Sequence, residues 1–274
     1  MRKSRGFTLV EIVVVMVIFG IVLTMAAAVT RGIIASQQRT VTTTRLSTVD
    51  LAIAQFVAVQ KRMPCPADGT LASTANNAGV EVAPDVNGCS SQTNGVVPWV
   101  TLGLTETDAT DGWNHRFTYR TGQSLGLTMD MSQCDPAGAA AANAGTCVTG
   151  CASATVAACT APQNFLLNKG LAVQNVAGTT VMNPAAVPAT GAAYVVISAG
   201  QTGGGAYLNS GALGPTTTTD GNQEQLNYAS LPLRAYYVDD SISDTAGATH
   251  FDDIVSRPSV MTVINKASLG PRSH

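Results

Sequence analysis

The feature that most constrains this chain is an uncharged apolar run close to its N-terminus. Residues 12–30 contain no charged side chain, and three cations lie within the first five residues. As a helix this run would measure about 28 Å, which is close to the hydrocarbon thickness of a bilayer. Because cations before such a segment stay in the cytoplasm, we expect residues 7–31 to span a membrane and the remainder to lie outside.

A cleaved secretory signal is the alternative interpretation of this N-terminus. Such signals also combine a basic start with an apolar core. The run here is longer than the usual core of about 7–15 residues, and it lacks a clear cleavage site between small residues. Residues 26–28, three alanines, are the nearest candidate for such a site. We therefore favour an anchoring helix.

Glu11 lies at the edge of the apolar run, four residues after Phe7. An unpaired carboxylate within a membrane helix costs about 2.5–3.5 kcal/mol on insertion scales. If the chain were cut after Gly6, the new α-amine of Phe7 would neutralise Glu11, within one chain or between neighbours. Pairing between neighbours would set the axial register of helices that pack side by side. The alternative is a protonated carboxyl group at the membrane interface.

Residues 3–11, with the sequence KSRGFTLVE, and the apolar run after them resemble the leader of type IV prepilins and type II secretion pseudopilins. The resemblance implies that a membrane-embedded prepilin peptidase removes residues 1–6 by cutting between Gly6 and Phe7. It also implies N-methylation of Phe7 and a role for Glu11 in filament assembly. The resemblance is limited to the N-terminal part of the chain.

The helix is predicted to continue through residues 32–60, since no proline occurs before Pro64. Apolar residues then recur at spacings of three or four: Leu46, Val49, Ile53, Phe56 and Val57. This pattern is typical of an amphipathic helix that lies on a globular head. Many members of the pilin family carry a proline late in the apolar segment, whereas this chain has only Gly20 and Gly32 as weak points. Two helices hinged near Gly32 are therefore the alternative.

Residues 61–265 are expected to form the head, followed by a loose tail at residues 266–274. Strands are predicted at residues 116–120, 194–198, 234–238 and 260–264. Three short segments, PCPA at 64–67, PW at 98–99 and DGW at 111–113, resemble parts of the heads of some pilin-like proteins. The expected fold class is therefore α+β and pilin-like. A long N-terminal helix, half transmembrane and half amphipathic, would pack on an antiparallel β-sheet head with disulfide-stapled loops.

The six cysteines predict disulfide bonds, because their number is even and the head is expected to be exported. The short spacing favours a pair between Cys65 and Cys89. The other four are expected to pair within an Ala/Gly-rich insertion at residues 135–163: Cys134, Cys147, Cys151 and Cys159. Their spacing lacks the CxxC pairs of a zinc site.

The DDI sequence at residues 252–254 resembles the end of the calcium-binding loop of some major pseudopilins. It implies a structural calcium ion with Asp240, Asp252 and Asp253 as candidate ligands, since calcium prefers carboxylate and carbonyl oxygens. The alternative is a solvated acidic loop at the edge of the sheet. No other cofactor is expected.

Residues 122–126, GQSLG, match the nucleophile elbow of α/β-hydrolases, with Ser124 as the nucleophile and His250 as the base. No helix is expected directly after the motif, and no alternation of strands and helices supports that fold. We therefore expect a polar turn there, His115 and His250 at the surface, and no enzymatic activity.

The charge balance argues against a nucleic-acid-binding protein. The chain has 15 Lys and Arg against 17 Asp and Glu, a net charge of −2, without a basic stripe in the head. The resemblance instead implies a structural subunit of a type IV pilus or of a type II secretion pseudopilus. A minor or tip subunit is favoured because the chain is long for a main pilin.

The implied partners are other pilin-like subunits, the prepilin peptidase and an inner-membrane assembly platform. The implied location is the bacterial inner membrane, single-pass with the head in the periplasm, and then the pilus or pseudopilus at the cell surface. The alternative is a membrane-anchored periplasmic binding or adhesion module that does not polymerise. The sequence does not distinguish adhesion, motility, DNA uptake and secretion.

Overall fold

The computed structural model describes residues 9–127, 130–131, 166–216, 220–243, 245 and 247–269. Its first element is α1 (Leu9–Gln60), a helix of 52 residues. At 1.5 Å per residue α1 is about 78 Å long. The helix is unbroken at Gly32, as expected for a single rod rather than a hinged pair. Among the residues that the structure describes, no helix combines the length and the apolar character needed to cross a membrane.

Short strands and a second helix follow α1. The strands are β1 (Ala67–Asp68), β2 (Gly95–Val96), β3 (His115–Arg116), β4 (Thr118–Thr121), β5 (Ala172–Gln174), β6 (Thr180–Met182), β7 (Tyr194–Ser198), β8 (Tyr207–Leu208), β9 (Tyr236–Val238) and β10 (Ile254–Ser256). The second helix is α2 (Val260–Lys266). Within the described part of the chain, 3-10 turns lie at Glu106–Ala109, Gln123–Leu125 and Glu224–Asn227.

The main sheet has five antiparallel strands in the order β1-β2-β4-β7-β10. Within this sheet β7 pairs with β4 on one side, where Val196 lies opposite Tyr119, and with the edge strand β10 on the other, where Ile197 lies opposite Val255. Two smaller sheets flank it, β3-β8 and β6-β5-β9. The α+β architecture and the antiparallel main sheet are therefore confirmed, with a parallel β5–β9 pair as an addition.

The core forms where the second half of α1 and α2 pack on one face of the main sheet. Four residues of the predicted stripe are buried: Leu46, Val49, Ile53 and Val57. Along β7, Tyr194 and Val196 join this cluster, whereas Val195 and Ile197 join a second cluster on the opposite face. Because successive side chains of a strand point to opposite faces, β7 is buried on both sides.

The strand predicted at residues 260–264 is wrong, because this segment forms α2. The Ser259 side chain accepts a hydrogen bond from the backbone N–H of Thr262 and so caps the helix N-terminus. Val260, Val263 and Ile264 are buried at helical spacing, so packing against α1 outweighs the strand preference of β-branched residues. Past α2 the chain still packs against the same core through Leu269, which shortens the predicted loose tail.

The other predicted strands are present in altered form. The strand at 194–198 coincides with β7, and the one at 234–238 is shortened to β9. The strand at 116–120 is divided, because β3 pairs with β8 whereas β4 pairs with β2 and β7.

Candidate functional site

The first half of α1 presents a continuous apolar surface. From Leu9 to Leu23 its large apolar side chains are all at least half exposed, from 50% for Ile12 to 80% for Leu9. They are Leu9, Val10, Ile12, Val13, Val14, Val15, Met16, Val17, Ile18, Phe19, Ile21, Val22 and Leu23. Soluble monomers rarely leave so large a contiguous apolar surface in water. This part of the helix therefore needs a cover that the head does not provide.

Glu11 lies within this apolar surface. It shares a helix face with Val15 and Phe19 at spacings of four, and these residues line one shallow groove of about 370 Å³. The predicted processing residues, Gly6 and Phe7, lie outside the described residues. The structure thus places Glu11 on an apolar helix, and its pairing with the Phe7 amine stays a prediction.

The second half of α1 is fixed to the head at the DGW segment. The Thr42 hydroxyl accepts a hydrogen bond from the backbone N–H of Gly112 at 2.9 Å. Arg45 donates to the carbonyl oxygens of Thr110 and Asp111 at 3.2 and 2.8 Å. A Cβ on Gly112 would lie 2.4 Å from the carbonyl oxygen of Gln38, so the helix backbone approaches too closely for any other residue. This glycine therefore positions α1 on the head.

Asp111 connects the same segment to the central strand. One carboxylate oxygen accepts the backbone N–H groups of Trp113 and His115. The other accepts the hydroxyl of Ser198, in β7, and lies 3.3 Å from Nδ1 of His115. The His115 side chain is only 14% exposed, so the expectation of a surface histidine is wrong. The DGW segment thus links α1 to the sheet through hydrogen bonds.

The short spacing correctly identifies one disulfide. Cys65 and Cys89 are bonded, with their Cα atoms 5.2 Å apart. The remaining predicted disulfide residues lie outside the described residues, as does the whole insertion at 135–163: Cys134, Cys147, Cys151 and Cys159. Their pairing stays a prediction.

Acidic side chains converge beside α1, at the ends of β10 and of the turn Glu224–Asn227. Two overlapping groups place their ligand atoms within 4.8 Å of one another, Asp220 with Glu224 and His250, and Glu224 with Asp252 and Asp253. The Glu224 carboxylate accepts a hydrogen bond from the backbone N–H of Asp252. It is also hydrogen-bonded to Nδ1 of His250, at 2.9 Å. A groove of about 850 Å³ separates this cluster from α1. The His250 side chain is 12% exposed, so it is not the expected surface residue.

Burial dominates the acid–base properties of this cluster. Burial raises the pKa of Glu224, against the opposing hydrogen bonds from Asp252 and His250. It also raises the pKa of Asp253 well above its ordinary value, and the neighbouring Glu224 adds to the effect. For His250 burial lowers the pKa, but the hydrogen bond and charge of Glu224 and the nearby aspartates outweigh it and raise the pKa overall. The imidazole therefore acts as a partial counter-charge.

The structure groups the predicted calcium ligands differently from the expectation. Asp252 and Asp253 lie together, but their companion is Glu224 rather than Asp240. The carboxylate of Asp240 instead accepts the backbone N–H groups of Val176 and Ser241, because it follows β9 and closes a different loop. Carboxylates suit a hard cation such as calcium. Glu224 was missed because only the fold brings a residue 28 positions away in sequence to Asp252.

Close packing explains the two glycines of the GQSLG motif, so a catalytic nucleophile is not needed to account for them. A Cβ on Gly126 would lie 2.5 Å from Sγ of Cys89, and one on Gly122 would lie 2.9 Å from Cα of Gly170. Ser124 lies on the 3-10 turn Gln123–Leu125. His250, the candidate base of the hydrolase interpretation, is hydrogen-bonded to Glu224. The two glycines are therefore required by close contacts, and the residues do not form the elbow of a hydrolase.

Comparison with known protein families supports the N-terminal interpretation. Residues 1–27 match the family model described as the prokaryotic N-terminal methylation motif. Neither the curated proteins nor the solved structures contain a match to this chain. The motif implies processing by a prepilin peptidase and assembly with other pilin-like subunits. This N-terminus is therefore the signature of type IV prepilins and pseudopilins, carried on a helix whose first half is exposed and whose second half is fixed to a head.

Proposed function

We propose that this protein is a minor or tip subunit of a type IV pilus or of a type II secretion pseudopilus. One observation carries the proposal: the methylation motif leads into a single 52-residue helix in which the large apolar side chains from Leu9 to Leu23 are exposed around the helix. Such a helix can be covered by lipid before assembly and by the helices of other subunits after it. Both environments remove the exposed apolar surface from water.

In this proposal the chain is cut between Gly6 and Phe7, and Phe7 is N-methylated. The α-amine of Phe7 then pairs with Glu11 of a neighbouring subunit, and the two opposite charges neutralise each other in the apolar environment. An inner-membrane assembly platform extracts the chain from the membrane into the filament. The heads face outward, held to their helices by the Thr42 and Arg45 contacts.

Mass spectrometry of the mature N-terminus tests the processing step. Chain purified from cells with the prepilin peptidase should begin with an N-methylated Phe7, and chain from cells without the peptidase should retain residues 1–6. An intact leader on chain recovered from filaments would contradict the proposal, as would a start near residue 29.

Glu11→Gln tests assembly, with Asp85→Asn as the matched control, since each substitution removes one exposed carboxylate charge. We expect Glu11→Gln to be processed normally but to enter filaments at least tenfold less, whereas Asp85→Asn behaves as the wild type. Equal incorporation of Glu11→Gln and wild type would overturn the assembly role. Processed chain found only in membranes, with no effect of Glu11→Gln, would instead indicate an anchored module that does not polymerise.

A further inference from the structure

A polar cavity of about 380 Å³ lies in the head, away from the helix and the acidic cluster. Its lining includes amide and hydroxyl side chains and one arginine: Asn87, Gln123, Ser124, Asn168 and Arg234. Its volume lies within the range of small-molecule sites, about 300–1,000 Å³. No carboxylate contributes to the lining among the residues that the structure describes.

Arg234 brings a cationic guanidinium to the lining of this cavity. Its Nε is buried and has no hydrogen-bond partner, and no ion pair of its guanidinium occurs within the described part of the chain. An arginine side chain is always charged and offers five N–H donors. A guanidinium that lines a cavity without a carboxylate partner among the described residues can pair with an acidic ligand there.

A second arginine, Arg120, lies near Arg234 in the interior of the head. Arg120 is 1% exposed and its Nε also lacks a partner. Its other nitrogens donate to four backbone carbonyls, those of Gly95, Tyr119, Ala229 and Leu231. The Tyr237 hydroxyl lies between the two arginines, since it interacts with the Arg120 side chain and accepts the backbone N–H of Arg234. Within the described residues, neither arginine has a carboxylate partner, and both lie close to the Tyr237 hydroxyl.

The cavity walls are held in place by close contacts. The backbone N–H of Cys89, which is in the disulfide with Cys65, donates to the carbonyl of Gln123. A Cβ on Gly88 would lie only 2.2 Å from that carbonyl oxygen. The disulfide-bonded loop and the GQSLG turn are thus packed tightly together. Walls fixed in this way reduce the ordering cost of binding.

We propose that this cavity binds a small acidic sugar, with its carboxylate on the guanidinium of Arg234. Arginine and carboxylate form strong charge-assisted hydrogen bonds, often as a bidentate pair. The neutral side chains of Asn87, Asn168 and Ser124 supply the donors and acceptors that sugar hydroxyl groups require. The absence of a lining carboxylate among the described residues leaves the positive charge for the ligand. This role does not depend on filament assembly.

Binding of glucuronate to the purified full-length chain tests the proposal, by titration calorimetry in a detergent without sugar head groups. Glucose is the neutral comparison. We expect glucuronate to bind at least tenfold more tightly than glucose, and Arg234→Gln to weaken glucuronate binding at least tenfold. Lys266→Gln is the matched control, because it removes one positive charge from an exposed residue at the end of α2. It should bind as the wild type does.

Ser124→Trp keeps the test decisive if Arg234→Gln fails to fold. Ser124 is exposed, so the larger side chain should block the cavity without disturbing the core. We expect it to abolish glucuronate binding while the near-ultraviolet circular dichroism of the head stays unchanged. The proposal is overturned if glucuronate does not bind the wild type, if glucose binds equally well, or if folded Ser124→Trp binds like the wild type. Equal losses in Arg234→Gln and Lys266→Gln would also overturn it.

Discussion

The two halves of α1 use the same aliphatic residues in opposite ways. In the second half, Val49, Ile53 and Val57 are fully buried, whereas in the first half Val17 is 58% exposed. The second half has one apolar stripe with polar residues between its members, so a head on one side can cover it. The first half is apolar all round, and no surface on one side can cover every face. The difference teaches that the first half needs a cover on all its sides, which a head on one side does not provide.

The side-chain hydrogen bonds of polar residues also differ between the two halves of α1. Asp50, in the second half, accepts hydrogen bonds from the hydroxyls of Tyr194 and Ser256, which fix the helix to β7 and β10. Thr24, in the first half, donates only to the carbonyl of Ile21 in its own helix. The head therefore holds the second half through side-chain hydrogen bonds from two strands, whereas Thr24 is bonded only within its own helix.

Truncation of one apolar side chain in each half gives the largest contrast. We expect Ile53→Ala to lower the free energy of unfolding of the head by about 2–5 kcal/mol, since it opens a cavity in the core. Val17→Ala, 58% exposed in the first half, should change it by less than about 0.5 kcal/mol. Urea unfolding followed by tryptophan fluorescence measures both, because Trp99 and Trp113 lie in the head. Equal effects would show that the halves share one cooperative unit.

Loss of the head disulfide is expected to have the next largest effect. The Cys65–Cys89 bond closes a loop with a sequence separation of 24, so removal should destabilise the head by about 2–4 kcal/mol. The double variant Cys65→Ser/Cys89→Ser is compared with the wild type by the same urea unfolding. Helix content from the first half of α1, followed by far-ultraviolet circular dichroism, should persist after the head has unfolded. Simultaneous loss of both signals would show that the two halves of α1 unfold together, which contradicts the proposed difference between them.

Sequence reasoning succeeded where structure depends on local pattern. The stripe from Leu46 to Val57, the strand β7 and the Cys65–Cys89 pair all follow from spacing within a short stretch of chain. The methylation motif is local as well, which is why residues 1–27 could be identified without the head. Periodicity and short loops carry this information directly.

Features that depend on distant segments were not predictable. Arg120 is buried because the carbonyl of Ala229, 109 positions away, accepts its hydrogen bond. His250 and Glu224 meet across 26 positions, so their burial does not follow from either sequence segment. At α2 the β-branched residues suggested a strand, and only the presence of α1 alongside selects a helix. In each case tertiary packing overrides local preference.

Glycine substitutions test the closeness of the helix–head contact. Gly112→Ala places a methyl group against the backbone of Gln38, so we expect a loss of about 1–3 kcal/mol in head stability. Gly32→Ala is the control, because a Cβ there has no neighbour within 4 Å. It should stabilise α1 by about 0.5–1 kcal/mol, since alanine favours helix over glycine. Destabilisation by both variants would show that the observed contact does not set the position of α1.

The smallest expected effect concerns the buried carboxyl group of Asp130, which lies in the head. Burial raises the pKa of Asp130 from 3.8 to about 6, against the opposing hydrogen bond from Leu127 and the charge of Lys169. Since the folded pKa is the higher one, ionisation opposes folding, and this contribution to stability falls as the pH rises from about 4 to 7. Asp130→Asn should therefore equal the wild type near pH 4 and exceed it by about 1–2 kcal/mol at pH 7. Glu11→Gln should leave the same pH profile unchanged, because Glu11 lies outside the head. A wild-type profile in Asp130→Asn, or an altered one in Glu11→Gln, would contradict the separation of the two halves.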